Sequence, residues 1–235
     1  MSEINISLLT ENQKLSKFEI TENFTCIRFI EQNKERFELE FNLEKGTSFN
    51  TFLIRNNEEL FIIHPPEKQH LNSFIEVISH FFDQFKLHKI NVISGHINPQ
   101  IIETIKNIHT QFQNLTITCS NPGFKLISEL WNQKNPNLEN LIETQLPKIN
   151  IIKKELRLEL DSISLELIPI PTARWPGGLI IYERNQEILL SEKIFSAHIA
   201  SEYWSENNRI STETDRKHFY DCLMAPMSNQ VVSIT

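Results

Sequence analysis

The sequence predicts an α/β fold, a two-layer sheet sandwich covered by helices. Strand-like segments fall in two sets along the chain, each followed by helical stretches, the pattern of two sheets with helices packed outside them. Within the first set the apolar period switches from two to helical spacing after His70, where Leu71, Phe74, Ile75, Ile78, Phe81, Phe82 and Phe85 recur on one face. With 235 residues, 40% of them hydrophobic and 16 of them Phe, the chain can bury a substantial core. No linker-like stretch divides it, so a single domain over residues 1–235 is expected.

Taken in order, residues 24–30 and 36–41 alternate well enough to predict an antiparallel strand pair. Strands at 49–54 and 60–63 flank Arg55-Asn56-Asn57-Glu58, a good hairpin turn. A helix over 70–85 follows, then strand 89–94, helix 99–109, strand 115–119 and helix 122–131. Residues 132–149, opening Asn132-Gln133-Lys134-Asn135-Pro136-Asn137, predict a long polar connection. The second half predicts strands at 153–159, 163–169, 178–183 and 187–191. A last helix is expected over 213–223, with Thr212 as N-cap, Asp215 completing a capping box and Pro226 ending it.

The formal net charge is −7, and Lys and Arg do not cluster with interleaved aromatics, so nucleic acid is not an expected partner. No apolar run approaches membrane-spanning length, and Met1-Ser2-Glu3-Ile4-Asn5 lacks the basic and apolar regions of a signal peptide; a cytoplasmic chain is expected. Cys26, Cys119 and Cys222 are odd in number and widely spaced. They fit neither a disulfide framework nor a metal knuckle and read as buried thiols.

The segment with chemical content is Gly95-His96-Ile97-Asn98-Pro99-Gln100-Ile101. The apolar run at 90–93 leads into it as a strand, and Pro99 opens a helix after it. In binuclear metal sites such a strand–loop–helix turn crowds His, Glu and Asp onto one rim, because each metal needs several nitrogen or oxygen ligands. Here the slots hold one imidazole, two amides and an isoleucine. Hydrolysis by a metal-dependent β-lactamase-fold enzyme would need more histidines in this turn, and no Gly-x-Ser-x-Gly elbow supplies a serine nucleophile.

Further stretches keep company with this turn in a fixed order: Lys45-Gly46-Thr47-Ser48-Phe49-Asn50-Thr51, Phe61-Ile62-Ile63-His64-Pro65-Pro66, Cys119-Ser120-Asn121-Pro122-Gly123, Pro171-Thr172-Ala173-Arg174-Trp175-Pro176-Gly177-Gly178 and Tyr220-Asp221-Cys222-Leu223-Met224-Ala225-Pro226. Together they resemble the N-terminal metallo-β-lactamase-like domain of the cyanobacterial flavodiiron proteins. The resemblance implies an αββα sandwich, here lacking the last strand and turn. For the family it implies a di-iron site, an FMN-bearing flavodoxin-like domain and a flavin-reductase domain. The family passes electrons from NAD(P)H or ferredoxin to oxygen, giving water, in a photoprotective role; the two flavin domains are expected to be absent from this chain.

The resemblance also carries the metal ligands across, one position at a time. The family's first turn reads His-x-Glu-x-Asp-His; His96 matches, Asn98 stands for the Glu, Gln100 for the Asp and Ile101 for the second His. Arg174 occupies the place of a ligand His before Trp-Pro, and Lys193 that of the bridging Asp. The final ligand would lie beyond Thr235. A divalent ion about 4 Å from a single fixed positive charge meets roughly 8 kcal/mol of repulsion at an effective dielectric near 20, which one imidazole does not offset. The expectation is therefore no metal, no catalytic residue and no cofactor in this chain. Arg174 serves equally well as a loop clamp or an anion contact, Glu192 can pair with either base, and Gly177-Gly178 reads as a turn rather than a phosphate cradle. His198 is placed near the site without being a ligand, while His64, His70, His80 and His88 read as ordinary surface or core histidines.

The resemblance thus implies an inactive flavodiiron-like domain that serves as a partner or structural subunit. It would form a homo- or hetero-oligomer with a metal-bearing relative or a flavin-bearing domain. The alternative is one part of a split oxygen reductase, working in electron transfer with separately encoded flavin domains.

Overall fold

The computed structural model describes residues 13–33, 36–37, 40–41, 44–133, 145–203 and 212–229. The chain forms two compact units: Met1–Phe52 with Ser191–Thr235, and Leu53–Leu190.

In the first unit, β1 (Gln13–Thr21) pairs antiparallel with β2 (Phe24–Glu31), Leu15 opposite Phe29 and Phe18 opposite Cys26. The expected partner of β2 was residues 36–41. That segment instead folds on itself, β3 (Arg36–Phe37) against β4 (Glu40–Phe41); residues 38–39 lie outside the described ones. β2 is buried on both faces, with Phe24, Cys26, Ile27, Phe29 and Ile30 at 1% exposure or less. Arg28, the long polar residue in the middle of the strand, is satisfied in place. Nε donates to Asn50 Oδ1 at 2.8 Å, Nη1 donates to the carbonyls of Ser201 and Tyr203, and the guanidinium lies 5.3 Å from the Phe18 ring centre. Burial draws the Arg28 pKa below its ordinary value. Gly46 enters β5 (Thr47–Asn56) with φ 62, and a Cβ there would stand 2.3 Å from the Glu31 carbonyl oxygen.

The same unit carries α4 (Glu213–Phe219), continued by a wide turn at Tyr220–Met224 and a 3-10 turn at Ala225–Met227 that contains Pro226. The helix is where the sequence puts it, but its expected capping box is not made. Thr212 sits at the N-cap position without a side-chain cap bond, and Asp215 accepts from Lys45 Nζ at 2.8 Å. A charged donor outcompetes a local backbone one for the carboxylate.

The second unit begins as β5 turns at Asn57–Glu58 into β6 (Glu59–Ile63), with Asn57 left-handed at φ 51, as the hairpin reading requires. From there β6, β7 (Lys89–Ile93), β8 (Leu115–Ser120) and β9 (Lys148–Ile152) run parallel in sequence order. Parallel neighbours need crossovers, and α1 (Leu71–Phe85), α2 (Pro99–Phe112) and α3 (Asn121–Asn132) fall in those connections. The inner strands are deeply buried, Ile62, Ile63, Ile90, Val92 and Ile117 all at 0% exposure, while β9 at the edge is mostly exposed. The second sheet is antiparallel: β10 (Leu156–Leu160), β11 (Ile163–Pro169), β12 (Leu179–Glu183) and β13 (Ile188–Leu190).

Two boundaries differ from expectation here. The polar connection ends before β9, so residues 148–149 are strand; residues 134–144 of it lie outside the described ones. β9 itself was not expected as a strand, and the strand expected at 153–159 begins later, as β10 at Leu156. The β12–β13 turn is held by Glu183, buried at 0% exposure. Its Oε1 accepts from the Ser164 and Asn185 N–H groups at 3.1 Å each, and its Oε2 from the Gln186 N–H at 2.6 Å.

Candidate functional site

Open α/β sheets bind ligands beyond the carboxyl ends of their parallel strands. In the second unit those ends belong to β6, β7 and β8. His64 follows β6 with a left-handed backbone (φ 55), is 3% exposed, and donates its N–H to the Ile93 carbonyl at 2.9 Å. After β7, the Ser94 N–H donates to the Thr118 carbonyl at 3.1 Å, and Ser94 Oγ donates to the His96 carbonyl at 3.1 Å. These bonds pin the turn that presents His96 and Asn98.

Asn98 organises that turn. Its backbone is extended (φ −142, ψ 168), and it caps α2: Oδ1 accepts from the Ile101 N–H at 2.8 Å, and its carbonyl from the Ile102 N–H at 3.0 Å. With Oδ1 committed to the helix, Nδ2 points the other way, 3.2 Å from Glu67 Oε1 and 3.2 Å from His96 Nε2. An amide nitrogen only donates, so His96 Nε2 accepts and the ring proton sits on Nδ1. Gln100, in the first turn of the helix, is exposed. Ile101 is 1% exposed and belongs to the buried stripe of α2 with Ile102, Thr104, Ile105 and Ile108.

The loop before β12 is a tight turn, as its glycines suggested. Thr172 Oγ1 accepts from the Trp175 N–H at 3.1 Å, and the Thr172 and Gly178 N–H groups both donate to the Trp175 carbonyl, at 3.2 and 3.0 Å. Trp175 is buried, and the half-buried Arg174 guanidinium lies 5.8 Å from its ring centre, within cation–π range. Gly177 meets the other turns backbone to backbone. A Cβ on it would be 2.7 Å from the Gly95 carbonyl oxygen and 3.2 Å from Gly123 Cα. Ser120 closes the junction, donating from Oγ to the Gly177 carbonyl at 3.0 Å while capping α3 through the Gly123 N–H at 3.3 Å.

His96, Asn98, Gln100, Ile101 and Arg174 are thus all in the second unit, with His96 and Asn98 in contact. Lys193 belongs to the first unit, in a turn after β13 where the Ile194 N–H donates to the Ser191 carbonyl at 3.0 Å; the lysine is buried, at 8% exposure. His198 is in the first unit as well, edge-on to Phe219 at 5.0 Å. Among the described residues, no group of three or more His, Cys, Asp and Glu side chains converges as a metal site. Of the thiols, Cys26 and Cys119 are buried and their pKa values pushed up to about 12 by desolvation, whereas Cys222 is exposed, contrary to the expectation that all three are buried.

Two participants escaped sequence reasoning. Glu67 is 31 residues from the amide it accepts from, with no local pattern to announce it. Ser120 was open to discovery: a serine two residues before a proline at the mouth of a helix is a cap signature.

Comparison with known proteins places this geometry. A protein of Nostoc sp. PCC 7120 named diflavin flavoprotein A 6 is 31% identical over 223 residues, covering 94% of this chain and 37% of the relative. The flavodiiron core of Flv1 from Synechocystis sp. PCC 6803, solved after metal soaking, superposes with a TM-score of 0.81 at 27% identity, over 94% of this chain and 52% of that one. A fragment, residues 1–254, of diflavin flavoprotein A 5 from Nostoc superposes with a TM-score of 0.79 at 28% identity, covering 95% of this chain and 83% of the fragment. The chain therefore spans a little over a third of the length of the Nostoc relative. No described helix is long and apolar enough to cross a membrane. The model of the ODP family beta lactamases matches residues 47–233, and with the metallo-β-lactamase-like fold of the flavodiiron cores this chain belongs to that family.

Proposed function

We propose that this chain is a flavodiiron-family domain without a working di-iron site, acting as a partner or structural subunit for a metal-bearing relative. The observation that carries the reading is the Asn98 amide. Its oxygen is held by the α2 N-terminus, and its NH2 group takes up the Nε2 lone pair of His96. Iron at that imidazole would have to displace a donor that supplies no ligand of its own. Neighbouring positions add to the misfit. Ile101 lies in the helix core, Gln100 faces solvent, and Arg174 brings a fixed positive charge where the family has a histidine. The residues present do not fit two ferrous ions, and no redox step is assigned to this chain.

Two measurements test the proposal. The purified chain is loaded anaerobically with excess ferrous iron, desalted and assayed for iron. A ratio near zero is expected, and a ratio near two per chain overturns the proposal. Co-purification with a tagged, intact flavodiiron relative is expected to recover this chain. Oxygen uptake that appears only when a separate flavin-bearing protein is added would instead favour the split-reductase reading.

A further inference from the structure

The open edge of the antiparallel sheet carries an inference that is independent of any metal. β10 is a terminal strand of the β10–β11–β12–β13 sheet, so one row of its backbone groups has no strand beside it among the described residues. Its register with β11 sets the faces: Leu156, Leu158 and Leu160 pair with Leu167, Leu165 and Ile163, the buried face, while Arg157 and Glu159 pair with Glu166 and Ser164 on the other. Burial along the leucine row is incomplete. Leu160 is 5% exposed and Leu158 half-buried, but Leu156 is 44% exposed. The edge is therefore apolar on the side that ought to be covered.

The strand sequence is self-complementary. Leu156-Arg157-Leu158-Glu159-Leu160 reads leucine, base, leucine, acid, leucine, symmetric about Leu158 except that the charges are opposite. We infer that β10 pairs antiparallel with β10 of a second copy of this chain, about a two-fold axis at Leu158. That pairing sets Leu156 opposite Leu160 and Arg157 opposite Glu159, twice over. The half-covered leucines of each copy continue the row of the other, an isologous contact in which every interaction occurs twice. Arg157 already turns toward the Glu159 carboxylate within its own strand, and its Nε donates to Ser164 Oγ at 3.1 Å; the four charges of a dimer would form one network on that face. The pairing stops at five residues, since the next pair would bring Glu155 against Asp161, like charges just outside the strand. So short an edge predicts a weak, concentration-dependent dimer.

The test follows molar mass by light scattering and sedimentation across a hundred-fold concentration range. The expected result is a rise toward twice the monomer mass. Arg157→Glu alone and Glu159→Arg alone each place like charges opposite one another and should weaken association at least ten-fold, with unchanged circular dichroism. The double exchange, R157E with E159R, restores opposite charges and should restore the dimer. Leu158→Cys in a Cys222→Ser background should form an interchain disulfide on mild oxidation, because residues facing each other across an antiparallel pair stand about 4.5–5.5 Å apart at Cα. A monomer at every concentration overturns the inference. So does a dimer that both single variants leave intact, which would sit on another face. Since none of these readouts involves iron, their failure is distinct from failure of the proposed function.

Discussion

At the scale of single residues, the molecule's polar atoms are spent on holding turns. Asn98 uses its amide oxygen for a helix cap and its amide nitrogen for Glu67 and His96. Asn98→Ala should lower stability by about 1 kcal/mol, the usual value of a cap, read as a reduced urea midpoint. Asn98→Asp keeps the cap oxygen and should recover most of that loss while setting a carboxylate against Glu67. Glu183 is the harder case, a carboxylate at 0% exposure accepting from three backbone N–H groups. Glu183→Ala should cost about 1–3 kcal/mol, because the buried Ser164 N–H would lose its acceptor while the Asn185 and Gln186 N–H groups, in exposed residues, could turn to water. If the variant's urea midpoint matched that of the parent, water would be reaching this turn and the latch would be dispensable.

At the scale of elements, segments with a strong period were legible in the sequence. α1 and α2 carry clean apolar stripes, β7 is a short apolar run, β8 alternates Leu, Ile and Cys with Thr and Ser, and Asn57 marks the β5–β6 turn. β1 was missed because Lys17 and Glu19 interrupt its alternation; its strand character comes from pairing with β2. β3 and β4 were read as one strand because alternation alone does not reveal a reversal. In the site, the strand–loop–helix order and the tight Trp175–Gly178 turn could be read from residue types, whereas contacts between segments far apart, such as Asn98 to Glu67, could not. Lys193 lies in a turn, where Glu192 and Phe195 both adopt positive φ. One entry point is sharply constrained: Gly46→Ala would place a methyl 2.3 Å from the Glu31 carbonyl and impose a left-handed backbone on alanine. A loss of at least 1–2 kcal/mol is expected in chemical denaturation; a neutral outcome would mean the β5 entrance re-forms around the methyl group.

At the scale of the whole molecule, the two buried thiols tie stability to pH. Cys26 and Cys119 have pKa values pushed up to about 12 in the folded chain, against about 8.5 for a free thiol. Unfolding therefore releases protons once the solution passes the free-thiol pKa. The stability tied to these groups is fully present below about pH 8 and is lost as pH rises from there toward 12. The melting temperature should fall across that interval, and replacing both cysteines with alanine should flatten the slope. A disulfide reagent at pH 8 should modify Cys222 alone in the folded chain and all three thiols in denaturant.

The meeting of Gly95, Gly123 and Gly177 bears on which positions of the rim are free to change. At their junction the three turns touch main chain to main chain and are tied by the Ser120 hydroxyl, whereas the Asn98 side chain holds a separate point, the start of α2. Substitutions at Gln100 or Arg174 therefore add no Cβ to that junction, while one at Asn98 removes a helix cap. On the proposed function, losing the iron site and losing the fold are separable events for this domain. A domain built this way can change at its ligand positions and keep, through its glycines, a recognisable surface for another task.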